Sequence, residues 1–171
     1  MQAWTQFYAV IGAAAAALLG LLFVSVSMHV GATLGAGRHN SKLLAEQAFS
    51  NYVTVIMVSL LALIPQMTTK SYGFLVLCLT VVSSAWVLVR LYLTITQPAS
   101  RESRLLALRR HFSSLLGFGM MLTAAVRMVM NYGNALNLFA TATIVLLVSA
   151  TMVSWELLMR IAKSSHSGPE S

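Results

Sequence analysis

The stretch FYAVIGAAAAALLGLLFVSVSMHV, residues 7–30, decides the fold class of this chain. It contains no Asp, Glu, Lys or Arg. At about 1.5 Å of rise per residue it is long enough to cross the roughly 30 Å hydrocarbon layer of a membrane as a helix. Core helices of soluble proteins rarely need an apolar run of this length, so the stretch predicts a transmembrane helix.

The composition of the whole chain indicates the same environment. Of the 171 residues, 58% are hydrophobic and only 9% are charged, and the mean hydropathy is +0.79. Such a chain has too few polar groups to cover a water-soluble globule. The formal net charge is +7, but the basic residues lie at the ends of apolar runs instead of forming a stripe with interleaved aromatics, which argues against nucleic acid as a partner.

Apolar runs divide the chain into five predicted spans. The segments between them are polar or charged, and a tight turn at Gly133 and Asn134 joins the last two spans. We therefore predict an all-α integral membrane helical bundle, with a single domain over residues 1–163 and a polar tail at 164–171. The predicted spans are Thr5–Val30, Leu44–Gln66, Tyr72–Thr96, Phe112–Tyr132 and Ala135–Met159.

Basic residues are distributed unevenly between the two ends of these spans. With the N-terminus outside, only Lys70 and Arg127 of the 11 Lys and Arg residues fall on the outer side. By the positive-inside rule, this distribution predicts that the N-terminus lies outside and the C-terminus inside. A re-entrant hairpin formed by the last two spans would move Arg160 and Lys163 outside and weaken the bias.

Small residues recur along the first span. Gly12, Ala16 and Gly20 are spaced at i, i+4 and i+8, so we expect them to form a groove along one side of the helix. Helices in lipid associate through close approach of their backbones, which small residues permit. The groove predicts a tight contact, either with another helix of this chain or with a second protomer.

Polar residues recur along the second span. Gln47, Asn51 and Thr54 are spaced at i, i+4 and i+7, which places them on one face of the helix. They could line a water-filled path, or they could bond neighbouring helices to one another. The second interpretation is favoured, because polar side chains in membrane helices commonly have that role.

Arg127 is the most informative single charge. It lies about 9 Å from the outer turn, so its long side chain can reach the lipid headgroups. The predicted topology places no acidic residue of this chain on the outer side. If Arg127 faces protein, its partner must be Asn131, backbone carbonyls, a bound anion or a carboxylate of another chain.

A basic segment precedes the fourth span on the opposite side. The stretch ESRLLALRRHFSSLLGF, residues 102–118, could lie along the inner interface before the span enters the membrane, held by anionic lipid. Arg104, Arg109 and Arg110 are the arginines of this segment, and Arg101 immediately precedes it.

The chain offers little material for catalysis. It contains no Asp, and each of its four Glu residues has a structural explanation at a span end, in a loop or in the tail. No pattern pairs a nucleophile with a base or spaces ligands for a metal ion. His29 and His111, each at the inner end of a span, could serve as axial haem ligands. The expectation is nevertheless a protein that is not an enzyme and carries no cofactor.

Two segments carry a resemblance. FYAVIGAAAAALLGLLFVSVSMHV and AFSNYVTVIMVSLLALIPQ, residues 7–30 and 48–66, resemble a diffuse group of small bacterial integral membrane proteins that are generally uncharacterised. The resemblance covers the first two spans and implies a setting in the bacterial inner membrane. It implies no active site.

These observations favour a non-enzymatic membrane protein that acts by helix association. The small-residue groove and the unpaired outer Arg127 suit either a homo-oligomer or an accessory subunit of a larger membrane complex. The alternative is an oligomeric ion channel or small-solute transporter whose path follows Gln47, Asn51 and Thr54.

Overall fold

The structure, a computed structural model, describes residues 2–29, 39–96 and 101–166, with side chains described at 4–29, 41–89, 92 and 114–162. These residues form helices joined by turns, with no strand among them, which confirms the all-α prediction. The helices are α1 (Gln2–Met28), α2 (His39–Ala62), α3 (Thr69–Thr96), α4 (Arg101–Val129) and α5 (Ala135–His166).

Four helices are long and apolar enough to cross a membrane. The corresponding segments are Trp4–Met28 in α1, Ser41–Ala62 in α2, Thr69–Val89 in α3 and Ala135–Ala162 in α5. In α4 the apolar part within the described residues is Ser114–Val129, about 24 Å of helix. The chain therefore has the character of a multi-pass membrane protein.

The fourth helix runs antiparallel to the third. A Cβ atom added to Gly73, near the start of α3, would lie 2.7 Å from Cβ of Met128 and 3.2 Å from the backbone nitrogen of Val129, at the end of α4. The turn between α2 and α3 therefore lies at the same end of the bundle as the turn between α4 and α5. We call this the Pro65 end, and the opposite end, where α2 begins, the Glu46 end.

The helix α2 ends earlier than the apolar run of the sequence predicts. The helix stops at Ala62 instead of continuing to Gln66. The residue before a proline is disfavoured in helical conformation, so Pro65 discourages Ile64 from continuing the helix. Gln66 then takes a left-handed conformation with φ of 59° as the chain turns toward α3.

The helix α4 begins at Arg101, well before the predicted Phe112. Because no Gly or Pro interrupts residues 101–116, the predicted interfacial segment and the predicted fourth span form one continuous helix. The side chains of the basic residues in this segment lie outside the described ones, as does the end of the predicted tail, residues 167–171. The basic residues concerned are Arg101, Arg104, Arg109 and Arg110.

Spatial neighbours differ from neighbours along the chain. The helices pack in the order α1, α2, α5, α4, α3, so α2 contacts α5 extensively although two helices separate them in sequence. The row curves at the Pro65 end, where the Tyr8 ring of α1 lies 6.4 Å from the Tyr72 ring of α3, measured between centroids. Phe139 of α5 lies 6.1 Å from the Tyr8 ring and 5.6 Å from the Tyr72 ring. This aromatic cluster joins the two outer helices of the row.

Candidate functional site

A buried polar cluster lies between α2, α4 and α5. Gln47 Nε2 donates a hydrogen bond to Ser114 Oγ at 3.0 Å, and Asn51 Nδ2 donates to the same atom at 2.9 Å. Ser114 Oγ also lies 3.2 Å from Ser149 Oγ of α5. All four side chains are buried. One hydroxyl of α4 therefore joins three helices.

The direction of these bonds follows from the chemistry of a hydroxyl group. A serine Oγ has two lone pairs and one proton, so Ser114 uses both lone pairs for the two amide donors and donates its proton to Ser149. The bonds cross between helices, which supports the interpretation that Gln47 and Asn51 bond neighbouring helices to one another. Thr54 does not join this cluster, because its hydroxyl donates to the carbonyl of Ser50 within α2 at 2.9 Å.

Two acceptor atoms of the cluster are left over. Gln47 Oε1 and Asn51 Oδ1 are both buried and have no hydrogen-bond partner. An unpaired buried carbonyl costs about 1–3 kcal/mol. Each of these two oxygens therefore keeps an unused acceptor position inside the bundle.

Sequence reasoning missed Ser114 and Ser149. Both are single hydroxyls in otherwise apolar stretches, and such residues commonly bond only to their own helix. The available signal was weak: Gln47 and Asn51 each need a partner if buried, and the interior hydroxyls of other helices were candidates for that role.

The predicted groove on α1 winds around the helix. Gly12 lies against α2, where an added Cβ atom would come within 2.8 Å of Ser59 Cβ. Ala16 is exposed, and an added Cβ on Gly20 would meet nothing within 4 Å. Each step of four residues overshoots a full helical turn by about 40°, so the third member points well away from the first. The groove therefore does not form one contact surface within the chain.

The side of α1 that faces away from α2 carries a line of small residues between larger ones, since Val10, Leu21 and Val24 are also exposed there. Ala13, Ala17 and Gly20 are all exposed and lie at i, i+4 and i+7. Only 11% of the residues in the apolar window of α1 are buried, against 50% in α2. The helix thus contacts the bundle along a narrow line, and we call its line of exposed small residues the α1 outer face (Ala13, Ala17, Gly20).

A lateral groove opens between α1 and α3, with α2 as its floor. Its volume is about 520 Å³. It begins at Glu46 and extends along α2 to Met57, a length of about 16 Å of helix. The residues that line it, apart from these two, are Leu22, Phe23, Val26, Ala45, Phe49, Ser50, Val53, Thr54, Leu79, Ser83 and Trp86.

Arg127 lies exposed in the last turn of α4, at the Pro65 end. Within the described part of the chain, its side chain has no acidic partner and no hydrogen bond to the Asn131 side chain. Asn131 instead caps the helix: it adopts φ of 59° while Tyr132 N donates to the Arg127 carbonyl at 2.9 Å and Asn131 N donates to the Met128 carbonyl at 3.1 Å. This is a Schellman cap, so turn formation accounts for Asn131.

The remaining titratable side chains that the structure describes show no arrangement typical of catalysis or metal binding. Glu156 accepts a hydrogen bond from Arg160 Nη2 at 2.6 Å on the exposed side of α5. His29 Nδ1 lies 3.1 Å from the carbonyl oxygen of Ser25 in its own helix, and the side chain of His111 is outside the described residues. Among the described residues, no group of three or more His, Cys, Asp or Glu could hold a metal ion.

Comparison with known proteins identifies no relative: no family model, no curated protein and no solved structure matches this chain. The function must therefore be inferred from the packing and chemistry of the described helices.

Proposed function

We propose that this chain is a non-enzymatic protein of the bacterial inner membrane that acts by helix association through the α1 outer face. It does so as a homo-oligomer or as an accessory subunit of a larger membrane complex. The observation that carries the proposal is the α1 outer face itself. Here the most apolar of the described helices exposes small residues, and few residues of this helix are buried in the bundle.

Small exposed residues matter more in lipid than in water. Lipid tails are as apolar as the helix, so association depends on close backbone contact and on dispersion, both of which small side chains favour. Large side chains are exposed on the other helices, for example Val82, Met152 and Trp155, and on α1 they flank the small residues at Val10, Leu21 and Val24. The α1 outer face therefore allows another helix to approach closely along the line of Ala13, Ala17 and Gly20.

The proposed orientation places the Pro65 end outside the cell. Lys70 and Arg127 lie at this end, whereas Lys42, Arg90 and Arg160 lie toward the Glu46 end by their position along the helices. The positive-inside rule then assigns the Glu46 end to the cytoplasm. Since α4 runs antiparallel to α3, all five helices cross in this proposal and the two termini lie on opposite sides.

The test adds bulk to the α1 outer face. The double substitution Ala17→Leu and Gly20→Leu should break the assembly into smaller species, measured by native mass spectrometry after extraction in mild detergent. The matched control is Gly119→Leu in α4, a position where an added side chain also meets open space. A wild-type protein that is already a lone 18.5 kDa monomer, or an assembly that survives the double substitution, would overturn the proposal.

A cysteine experiment separates the two forms of association. In a Cys78→Ala background, Ala17→Cys should form a disulfide-linked dimer under mild oxidation if two copies meet through α1. If a different subunit covers this face, the stoichiometric partner should co-purify with the protein and no such dimer should form.

Flux measurements address the channel alternative. Ion or solute flux into liposomes that contain the pure protein, abolished by Asn51→Leu, would favour a channel over the association role. We expect no such flux, because Gln47 and Asn51 bond across to Ser114 between helices of one protomer.

A further inference from the structure

The lateral groove lies in the half of the bundle nearer the Glu46 end. Its α1 residues, from Leu22 to Val26, belong to the last third of the apolar segment of that helix, and its α3 residues begin at Leu79, halfway along theirs. At the Pro65 end, the centroids of the Tyr8 and Tyr72 rings are 6.4 Å apart, so α1 and α3 are in contact there. The space between these two helices therefore opens toward the Glu46 end.

The length of the groove fits one leaflet of a membrane. Along α2 the groove extends about 16 Å, close to half of the roughly 30 Å hydrocarbon layer. A membrane-spanning helix of another chain would need a groove across the whole layer, whereas the acyl chain of a lipid occupies a single leaflet. An acyl chain is therefore the occupant whose length matches the groove.

We propose that the lateral groove binds one acyl chain of a phospholipid from the leaflet at the Glu46 end. The chain extends along α2 from Phe49 toward Met57, between Val26 of α1 and Leu79 of α3. This binding site is independent of the association proposed for α1, because the α1 outer face contributes no residue to the groove.

The lining of the groove suits a hydrocarbon chain. Most of it consists of apolar side chains, for example Val26 on α1, Val53 on α2 and Leu79 on α3. Thr54 is buried, and its hydroxyl already donates a hydrogen bond to the Ser50 carbonyl at 2.9 Å. An acyl chain brings into the groove no polar group that would need a partner, so its burial there carries no desolvation cost.

A chain in the groove contacts more protein than a chain on an open helix face. The lining comes from α1, α2 and α3, so a bound chain meets protein on three sides. Dispersion between protein and lipid grows with the number of atoms in contact. The volume of about 520 Å³ also lies within the range of small-molecule sites, roughly 300–1,000 Å³. The bound chain is therefore held more strongly than the lipid around the bundle.

The experiment maps acyl chains on the full-length wild-type protein in phosphatidylcholine vesicles. The vesicles contain a trace of phosphatidylcholine with a diazirine near either the methyl end or the carboxyl end of one acyl chain. After illumination, the methyl-end probe should label residues 53–57 and Leu79, and the carboxyl-end probe should label residues 22–26 and 45–49.

The reference for ordinary lipid contact is Val148 of α5. It is exposed outside the groove and lies at a similar depth, because it adjoins Ser149, which Ser114 joins to Asn51. We expect the labelling of Leu79 by the methyl-end probe to exceed that of Val148 at least about tenfold.

A pair of variants tests whether the space itself is required. Val53→Phe adds bulk to the floor of the groove and should reduce the labelling of Leu79 about tenfold, whereas Val148→Phe makes the same change outside the groove and should leave it unchanged. The wild-type labelling pattern tests the proposal even if Val53→Phe does not fold.

Three outcomes would overturn the proposal. Equal labelling of Leu79 and Val148 would mean that the groove holds its lipid no more strongly than an open face does. A labelled Val148 beside an unlabelled groove would mean that a helix of another chain covers the groove. Exchange of the residues labelled by the two probes would mean that the chain enters from the Pro65 end.

Discussion

Gly12 of α1 and Ser59 of α2 form the closest contact between these two helices at a glycine position: a Cβ atom on Gly12 would lie 2.8 Å from Ser59 Cβ. Real Cβ atoms essentially never approach that closely, so the contact requires a glycine. The small side chain of Ser59 serves the same purpose from the other helix. The first member of the small-residue series thus belongs to the fold of the protomer, whereas Gly20 does not.

We predict that Gly12→Ala destabilises the protomer by about 1–3 kcal/mol, because the added methyl group forces α1 away from α2. The measurement is reversible unfolding in mixed micelles, followed by circular dichroism. The matched control is Gly20→Ala, which adds the same group into open space and should be neutral or slightly stabilising. Equal effects of the two substitutions would contradict the packing described at Gly12.

The helices could largely be predicted from the sequence, because the lipid environment leaves an apolar chain few structures other than membrane-spanning helices. A run such as residues 7–30 leaves few alternatives to a helix of membrane length. Local chemistry at Gly133 and Asn134 also placed the turn between α4 and α5. The predicted end of the second span, Gln66, lies beyond the observed end of α2 at Ala62. The apolar run continues through Leu63 and Ile64, although Pro65 already disfavours the helix there.

The arrangement of the helices could not be predicted from the sequence in the same way. Nothing in the sequence shows that α2 packs against α5, so the role of Ser114 as a junction could not be derived from the spacing of Gln47 and Asn51. A spacing of four residues predicts neighbours on one helix. It does not show which side of the helix another helix covers. The different surroundings of Gly12, Ala16 and Gly20 could therefore not be predicted from their spacing.

The polar cluster predicts that two substitutions in it, Ser114→Ala and Asn51→Leu, destabilise the protein to different extents. Ser114→Ala removes the acceptor shared by two buried amide groups and should destabilise the protein by about 1–3 kcal/mol. Asn51→Leu removes one hydrogen bond but also the unpaired Oδ1 atom, so the two effects partly cancel and the cost should be smaller, below about 1 kcal/mol. Unfolding in mixed micelles measures both. A larger loss for Asn51→Leu would indicate that its oxygen has a partner, such as a bound water molecule.

The contact between α3 and α4 supports a second comparison of glycines. Gly73→Ala would bring a methyl group within 3.2 Å of the Val129 backbone nitrogen, which moves less readily than a side chain, so we expect a loss of about 1–3 kcal/mol. Gly119→Ala, on the open side of α4, should be neutral or stabilising. Thermal unfolding of the two variants beside the wild type tests this, and a stable Gly73→Ala protein would mean that α3 and α4 are further apart than described.

The antiparallel contact between α3 and α4 also predicts the topology in the membrane. Because Gly73 meets Met128 and Val129, the turns at residues 63–68 and 130–134 should both be accessible from the same side. In a Cys78→Ala background, Gln66→Cys and Tyr132→Cys should react with a membrane-impermeant maleimide in intact cells. A cysteine placed at Met159 near the other end of α5 should react only after the cells are opened. Labelling of Tyr132→Cys and Gln66→Cys from opposite sides would show that one of α3 and α4 does not cross, and would overturn the proposal that all five helices span the membrane.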